Sequence, residues 1–224
     1  MSRLSARLFT TEFDLPAITS FANDNGFASR AIRALVHSVL FVAIYGGCLH
    51  LTGTRQDVGQ LYSSWELHIP LVPAMIMPYF SIYPLFIMAF FMCRDGIAAR
   101  ELSLRISGAQ LVAGFVYLAF PLQSGFSRPA VEGAYGPLFQ LLEATDLPYN
   151  LAPSLHVTTA IILGSVFCRE SRGVGRWILA SWFGLICVST LLTWQHHVVD
   201  VVSGALLGLL SLECFSIERR SASR

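Results

Sequence analysis

The sequence predicts an all-α integral membrane protein with six transmembrane helices and both termini in the cytosol. Apolar residues make up 54% of the 224-residue chain and charged residues only 13%, whereas soluble domains carry roughly 25% charged residues. The mean hydropathy is +0.58, and the apolar residues gather in long runs separated by short polar stretches. The distribution of basic residues between these stretches supplies the orientation.

Six apolar runs reach or approach the length of about 20 residues that a helix needs to cross a bilayer. The fourth run is the shortest, because Pro153 precedes it and Arg169-Glu170 follows it. The six predicted spans are Ala34–Leu51, Leu71–Cys93, Ile106–Leu122, Ser154–Cys168, Trp177–Thr193 and His197–Ile217.

Arginine placement predicts which loops are cytosolic, because Lys and Arg are enriched in the short loops on that side. The fifteen basic residues are all arginines. Only Arg55 and Arg128 fall in the loops after the first and third runs. The others lie in the two terminal segments or after the second and fourth runs: Arg3, Arg7, Arg30, Arg33, Arg94, Arg100, Arg105, Arg169, Arg172, Arg176, Arg219, Arg220 and Arg224.

Three regions follow from this pattern. We predict a cytosolic N-terminal segment over 1–32, a six-helix membrane domain over 33–217 and a cytosolic tail over 218–224. The first 27 residues contain no apolar core of the kind found in a cleavable signal peptide. The five cysteines form no CxxC pair, so neither a disulfide framework nor a zinc site is indicated.

Histidine and aspartate gather where two of the predicted helices begin. His156 follows Pro153-Ser154 at the start of the fourth span, and His196 and Asp200 lie at the start of the sixth. Ionisable residues inside membrane segments are costly and mark functional sites. The N-termini of helices favour anions, so two of them at the outer face predict a phosphate site.

The residue types predict a division of labour at such a site. His196 and Asp200 are four positions apart, which on a helix places them on one face. The carboxylate then fixes one ring nitrogen and leaves the other free as a nucleophile. His156 is a candidate general acid, the fork of Arg128 suits phosphate oxygens, and Ser154 offers its hydroxyl and backbone N–H as the first residue of the helix.

Other interpretations of nearby residues stay open. Tyr149 and Asn150 are candidate substrate contacts close to the site. A zinc ion held by His156, His196 and His197 lacks an evident fourth ligand, and adjacent histidines on a helix diverge. We therefore expect no metal or organic cofactor, and we expect His197 to serve packing.

These residues resemble the type 2 phosphatidic acid phosphatase superfamily of membrane lipid phosphatases and phosphotransferases. Its pattern is a Lys seven residues before Arg-Pro, then Pro-Ser-x-His, then Ser-Arg-x5-His-x3-Asp. Arg128-Pro129, Pro153-Ser154-Leu155-His156 and Ser189…His196…Asp200 match in order and spacing. The resemblance implies that His196 forms a phosphohistidine, Asp200 orients it, His156 is the general acid, and Arg128 and Ser154 hold the phosphate.

Two positions depart from the family pattern, since Pro121 replaces the lysine and Thr190 the arginine. A phosphomonoester dianion needs more positive groups than a phosphodiester with one charge. The loops add negative charge through Asp57, Glu66, Glu132, Glu143 and Asp146. The reduced set of cations resembles the branch containing sphingomyelin and inositol phosphorylceramide synthases, as does the segment from Asp146 to His156.

Three functions follow as hypotheses. The first is a lipid phosphatase acting through a phosphohistidine, and the second is a head-group phosphotransferase that moves a phospho-head group to a lipid hydroxyl. The third is a non-catalytic transporter or inactive relative. In each enzymatic case the substrate is a lipid phosphate or phospholipid, with no nucleic acid involved. The active site then faces the extracytoplasmic side of the cell membrane, and the membrane domain is the catalytic one.

Overall fold

The computed structural model describes residues 24–216, and this part of the chain is built from helices without a strand. A π-helical segment, Val42–Gly46, joins the first two helices into one continuous rod. Isolated bridges join Gly59 to Leu122 and Gln123 to Tyr149. The helices are α1 Phe27–Phe41, α2 Gly47–Gly53, α3 Ile76–Met92, α4 Gly96–Ala119, α5 Gly136–Thr145, α6 Leu155–Glu170, α7 Gly173–Leu192 and α8 Val198–Cys214, with 3-10 turns at Ser64–His68, Pro73–Met75 and Gly133–Tyr135.

Four helical rods are long and apolar enough to cross a membrane: Phe27–Gly53, Pro73–Met92, Gly96–Ala119 and Gly173–Leu192. They indicate an integral membrane protein. The helices α6 and α8 have 16 and 17 residues. At about 1.5 Å per residue they extend about 24 and 26 Å, less than the roughly 30 Å of a hydrocarbon core.

Helix α6 lies at the centre of the bundle, where it packs against α3, α4, α7 and α8. The core around it is closed by Phe90, Leu102, Leu163 and Ile186, all fully buried. Glycines let α8 come close to α6: a Cβ on Gly208 would lie 3.0 Å from the Cβ of Ile161. Small residues at such interfaces are the usual means of close helix packing in membranes.

Large apolar side chains also cover the outside of the bundle. In a soluble monomer an apolar surface of this extent would be unusual, whereas lipid is a suitable environment for it. Examples on four different helices are Val36, Val39, Leu111, Phe115, Trp177, Ile178, Leu206 and Leu210.

Buried charges lie at the end of the bundle opposite the first residues of α6 and α8. Glu101 on α4 forms ion pairs with Arg105 at 2.9 Å and with Arg169, at the end of α6, at 3.3 Å. The Asp95 side chain caps the start of α4, where it accepts the N–H of Ala98 at 2.8 Å. The helix α4 begins ten positions before the predicted span at Ile106, because its buried charges Glu101 and Arg105 are paired with each other and with Arg169.

Two further boundaries differ from the prediction. The loop predicted over Gln123–Pro153 contains α5, a helix of ten residues, which is too short to stand out by periodicity. The first rod begins at Phe27 rather than Ala34. Just before it, the side chain of Asp24 accepts the N–H of Gly26 at 3.0 Å. Most of the predicted N-terminal segment (1–23) and the C-terminal residues from Ile217 lie outside the described residues.

Candidate active site

The predicted fourth and sixth spans begin side by side. Ser154 caps α6, its hydroxyl oxygen accepting the N–H of Val157 at 3.3 Å. Its own N–H donates to the backbone carbonyl of Asp200 on α8 at 3.0 Å. A Cβ on Gly204 would lie 2.5 Å from the carbonyl oxygen of Ser154, so the two helix ends approach as closely as they do because this residue is glycine. The N–H of Ser154, expected to be offered to phosphate, is used to join the helices.

A tight turn between α7 and α8 positions His196. The carbonyl of Thr190 accepts the N–H groups of both Gln195 and His196, at 3.0 and 3.1 Å. Trp194 has a positive φ of 55°, and its indole N–H donates to Ile69 at 3.0 Å. His196 therefore lies two residues before the first residue of α8 rather than on the face of that helix, as its spacing from Asp200 suggested.

The ring of His196 nevertheless faces Asp200. Its Nδ1 lies 3.5 Å from the Oδ2 of Asp200, whose side chain is fully buried. The same Oδ2 accepts the backbone N–H of His197 at 2.7 Å. Nδ1 of His196 and Oδ1 of Asp200 are both buried and have no hydrogen-bond partner among the described residues. A small rotation of the imidazole would join the donor to the carboxylate and leave Nε2 free.

His156 lies on a stack of aromatic rings at the first turn of α6. Its imidazole is 4.0 Å from the ring of Tyr79, centroid to centroid, at 14°, and the ring of Tyr83 meets it edge-on at 6.4 Å. Its Nε2 is buried without a partner in the described part of the chain, and it interacts electrostatically with His196. The two histidines thus lie at the adjoining starts of α6 and α8, and each has a buried ring nitrogen without a hydrogen-bond partner in the described part of the chain.

Arg128 approaches the turn before His196 from the loop after α4. Its guanidinium donates to the carbonyl of Thr193 at 3.0 Å and to Glu143 at 3.1 Å, and it lies 5.0 Å above the ring of Phe139. Its Nε is buried and unpaired within residues 24–216. The charge of Arg128 is therefore partly neutralised by Glu143, while one donor remains for a ligand.

The two positions where the family pattern has cations serve other purposes here. The side chain of Thr190 is fully buried, and its hydroxyl donates within α7 to Cys187 at 2.8 Å. The carbonyl of Pro121 accepts the N–H of Gly59 at 3.0 Å. Neither side chain carries the charge that the family pattern has at its position.

The two predicted substrate contacts have structural partners. Asn150 is buried with a positive φ of 56°, a conformation that Asn tolerates better than most residues. Its amide donates to the carbonyl of Tyr45 at 2.9 Å, while the ring of Tyr149 packs 3.4 Å from the position of a Cβ on Gly53. Both side chains are therefore engaged within the protein.

Glu66 and His197 form a second pair that the sequence did not reveal. The Oε2 of Glu66 accepts the N–H of Val198 at 2.8 Å. The Nε2 of His197 accepts the N–H of Gly125 at 3.1 Å, so its proton lies on Nδ1, which faces Glu66 at 3.5 Å. The first N–H group of α8 is therefore occupied by Glu66. At the start of α6 the N–H of His156 has no printed partner among the described residues, whereas the N–H of Leu155 interacts with the Tyr117 hydroxyl.

Asp146 is the other residue that sequence reasoning did not assign to the site. Its Oδ1 accepts the hydroxyl of Tyr45 at 2.7 Å. Burial raises the pKa of the Asp146 carboxyl, and the Tyr45 hydroxyl, His196 and Arg128 act in the opposite sense. The only sign of Asp146 in the sequence was its place in the segment that leads to His156.

The described residues contain no group of three His, Cys, Asp or Glu side chains placed to hold a metal ion. Several loop carboxylates expected to surround the site are also paired. Asp57 forms a 2.6 Å ion pair with Arg55, and hydrogen bonding to that guanidinium lowers the pKa of the carboxyl to about 2.

A family model described as the PAP2 superfamily matches residues 66–214. The matched range begins at Glu66, ends with the last residue of α8 and contains each of the predicted site residues. Neither a curated protein nor a solved structure matches the chain significantly.

Proposed function

Because the chain belongs to the PAP2 superfamily, we propose that it is a membrane enzyme that cleaves a lipid phosphate ester through a phosphohistidine on His196. Membership supports phosphatase-type chemistry on a phosphorylated lipid. The observation that carries the finer proposal is the approach of Nδ1 of His196 to within 3.5 Å of the buried Asp200 carboxylate, together with the unpartnered Nε2 of His156 on the adjoining helix.

His196 is the nucleophile. With Nδ1–H directed to Asp200, Nε2 carries the lone pair that attacks phosphorus. As the N–P bond forms the imidazole becomes positively charged, and the buried carboxylate 3.5 Å away stabilises that charge. Nδ1 of His196 and the Asp200 carboxylate, which are both buried, thus stabilise each other when the ring becomes charged during the reaction.

His156 is the general acid and then the general base. It gives a proton to the leaving oxygen as the P–O bond breaks, and it removes a proton from the incoming water or alcohol in the second step. As the new P–O bond forms, the N–P bond breaks and its electron pair returns to Nε2 of His196. Stacking on Tyr79 fixes the plane of the His156 ring.

The phosphate is held by neutral and cationic donors. Nε of Arg128 and the N–H group of His156 are unpaired in the described residues, and both suit phosphate oxygens. Ser154 contributes by holding the end of α6 in place, with its hydroxyl available as a further contact.

We place the site on the extracytoplasmic side of the cell membrane in a six-span bundle with both termini in the cytosol. The predicted regions are 1–32, 33–217 and 218–224. The arginine distribution supports this placement, since the loops on the side of the site hold only Arg55 and Arg128. The helices α6 and α8 both begin at the site and fall about 4–6 Å short of the hydrocarbon thickness. The reacting groups then lie below the head groups, where a lipid phosphate enters laterally.

A second candidate, head-group transfer from a phosphodiester to a lipid hydroxyl, is favoured by one specific observation. The cation set is small, and its one arginine is paired with the carboxylate of Glu143 at 3.1 Å. A dianionic monoester is repelled by that charge more strongly than a singly charged diester. A non-catalytic role leaves the unpaired His196, Asp200 and His156 atoms without a purpose, although such buried atoms cost free energy.

The test is a product assay on purified protein in detergent. Wild type is incubated with radiolabelled phosphatidate and phosphatidylcholine, and both phosphate release and new lipid products are followed. We expect His196→Ala to abolish turnover and His50→Ala, at an exposed position on α2, to retain it. Free phosphate from phosphatidate supports hydrolysis, whereas diacylglycerol with a new phospholipid supports transfer. Equal turnover by His196→Ala and wild type would refute the role of His196.

A further inference from the structure

His197 contacts two loops that are distant from it in sequence. Its Nε2 accepts the N–H of Gly125 at 3.1 Å, and its Nδ1 lies 3.5 Å from the Oε2 of Glu66. Gly125 belongs to residues 123–128 after α4, which we call the Arg128 loop, whereas Glu66 precedes α3. Both side chains of the pair are buried. One imidazole therefore joins the two loops to the start of α8.

Aromatic rings enclose the imidazole of His197. Tyr62 stacks on it with 5.1 Å between the centroids and 21° between the planes. Phe126, in the Arg128 loop, meets it edge-on at 4.8 Å and 81°, and the same phenyl ring meets the indole of Trp194 at 4.9 Å. Because close packing on both sides restricts rotation of the imidazole, its two nitrogens face fixed partners.

Glu66 determines which nitrogen of His197 carries the proton. Since Nε2 accepts the N–H of Gly125, the proton lies on Nδ1, which faces the carboxylate. The same carboxylate accepts the N–H groups of Ser63 and Val198, each at 2.8 Å. Glu66 thus keeps the imidazole in the tautomer that can accept a hydrogen bond from the Arg128 loop.

The Arg128 loop meets the turn before α8 at two points. Gly125 donates to the His197 ring at 3.1 Å, and the Arg128 guanidinium donates to the carbonyl of Thr193 at 3.0 Å. Gly125 and Arg128 are only three positions apart, so a displacement of the first moves the second. The direction of the unpaired Nε of Arg128 therefore depends on the bond to His197.

The backbone and the side chain of His197 serve different groups. The backbone N–H donates at 2.7 Å to the Oδ2 of Asp200, the carboxylate that faces the His196 ring. The side chain contacts Gly125 and Glu66 instead. A substitution of the side chain leaves the bond to Asp200 in place, so the two roles can be separated by experiment.

We propose that Glu66 and His197 form a positioning pair that holds the Arg128 loop so that the guanidinium of Arg128 is directed at the substrate phosphate. This inference rests on the proposed function and adds two positioning residues to it. Both act through Arg128 rather than on the reacting atoms. The positioning pair therefore governs binding of the phosphate, while His196 and its partner Asp200 govern the chemical step.

The test separates binding from the chemical step. Binding of decylphosphonate, a lipid phosphate analogue with carbon in place of the ester oxygen, is measured by calorimetry on purified protein in detergent. We expect His197→Ala to weaken binding about tenfold, the effect of one lost hydrogen bond, and to keep kcat within about threefold of wild type. His197→Gln, whose amide oxygen can accept the N–H of Gly125, should restore the affinity. His68→Ala, at an exposed histidine two positions after Glu66, is the matched control and should bind like wild type.

A double-mutant cycle shows whether the positioning pair acts through Arg128. In the Arg128→Ala protein, His197→Ala should cause no further loss of affinity, because the two residues then no longer act as a unit. Glu66→Gln offers one acceptor oxygen in place of two. It should weaken binding in the wild-type background and have no effect in His197→Ala.

A purely structural role of His197 gives a different pattern. The inference is overturned if His197→Ala lowers kcat and affinity together, if His197→Gln fails to restore the affinity, or if the loss is equally large in the Arg128→Ala protein. An equal effect of Glu66→Gln in both backgrounds would remove Glu66 from the pair. Dependence of phosphonate binding on His197 without turnover of lipid by wild type would keep the positioning pair and refute the proposed function, whereas turnover with unchanged binding in His197→Ala would do the reverse.

Discussion

Replacing Asp200 by Asn removes a buried charge while keeping the size of the side chain. The Oδ2 of Asp200 lies 3.5 Å from Nδ1 of His196. A positive charge on the ring at this distance interacts with the carboxylate by about 4–5 kcal/mol at an effective dielectric constant of about 20. At about 1.4 kcal/mol per factor of ten, loss of this term slows formation of the phosphohistidine by about a thousandfold.

The effect on folding should be much smaller. The amide oxygen of Asn can still accept the N–H of His197, which now donates to Asp200 at 2.7 Å. A neutral acceptor in place of a charged one costs about 1 kcal/mol, and burying a neutral group offsets part of that loss. We therefore expect an unchanged elution profile in detergent and a small decrease in melting temperature.

The assay is single-turnover formation of diacylglycerol from phosphatidylcholine, or of phosphate from phosphatidate, at equal amounts of folded protein. Asp57→Asn is the matched control, because Asp57 is an exposed carboxylate paired with Arg55. Activity of Asp200→Asn within tenfold of wild type would refute the electrostatic role. A protein that no longer elutes as a single species would show instead that Asp200 serves folding.

The remaining predictions concern packing, phosphate binding and orientation. Gly204→Ala should lower the melting temperature and the activity together, because its Cβ would lie 2.5 Å from a carbonyl oxygen, whereas Gly184→Ala, with nothing within 4 Å, should be neutral or slightly stabilising in thermal unfolding. Arg128→Lys should raise KM more than it lowers kcat, since a lysine supplies charge without the planar fork. In a protein without native cysteines, a membrane-impermeant maleimide should label Asp57→Cys in intact cells and Arg172→Cys only after lysis.

Each of these has a contradicting result. Equal melting temperatures for the Gly204→Ala and Gly184→Ala proteins would mean that the contact between α6 and α8 is not tight. Wild-type values of KM and kcat for Arg128→Lys would show that the planar guanidinium does not bind the phosphate. Labelling of Arg172→Cys rather than Asp57→Cys in intact cells would invert the proposed topology.

The motif residues could be identified from the sequence because their order and spacing are local. The resemblance to the type 2 phosphatidic acid phosphatase superfamily is confirmed by the family match over residues 66–214. The all-helical architecture is confirmed for residues 24–216. The count of six spans stays a prediction, because only four helical rods there meet the criterion of length and hydropathy.

The supporting residues could not be predicted, since their partners are distant in sequence. Glu66 contacts Val198 and His197 across more than a hundred positions, and Tyr45 reaches Asp146 in the same way. Neither Glu66, in a loop, nor Tyr45, in a membrane helix, belongs to a local sequence pattern that predicts such contacts. Sequence reasoning therefore treated Glu66 and Asp146 as diffuse negative charge.

The position of His196 shows a different limit. Spacing of four suggested a shared helix face with Asp200, but α8 begins at Val198 and His197 caps it. The turn is instead fixed by the carbonyl of Thr190, which holds two successive N–H groups. His196 and Asp200 nevertheless lie close together. The extended backbone of His197, the cap residue, directs the His196 ring toward Asp200, the third residue of α8.

Trapping the covalent intermediate tests the central claim most directly. Purified protein is mixed with lipid labelled at phosphorus, quenched in alkali, which preserves a phosphohistidine, and mapped by mass spectrometry of the peptide around His196. We predict label on His196, none in His196→Ala, and slower accumulation in Asp200→Asn. Turnover of the lipid with no label on His196, or label confined to another residue, would contradict the account.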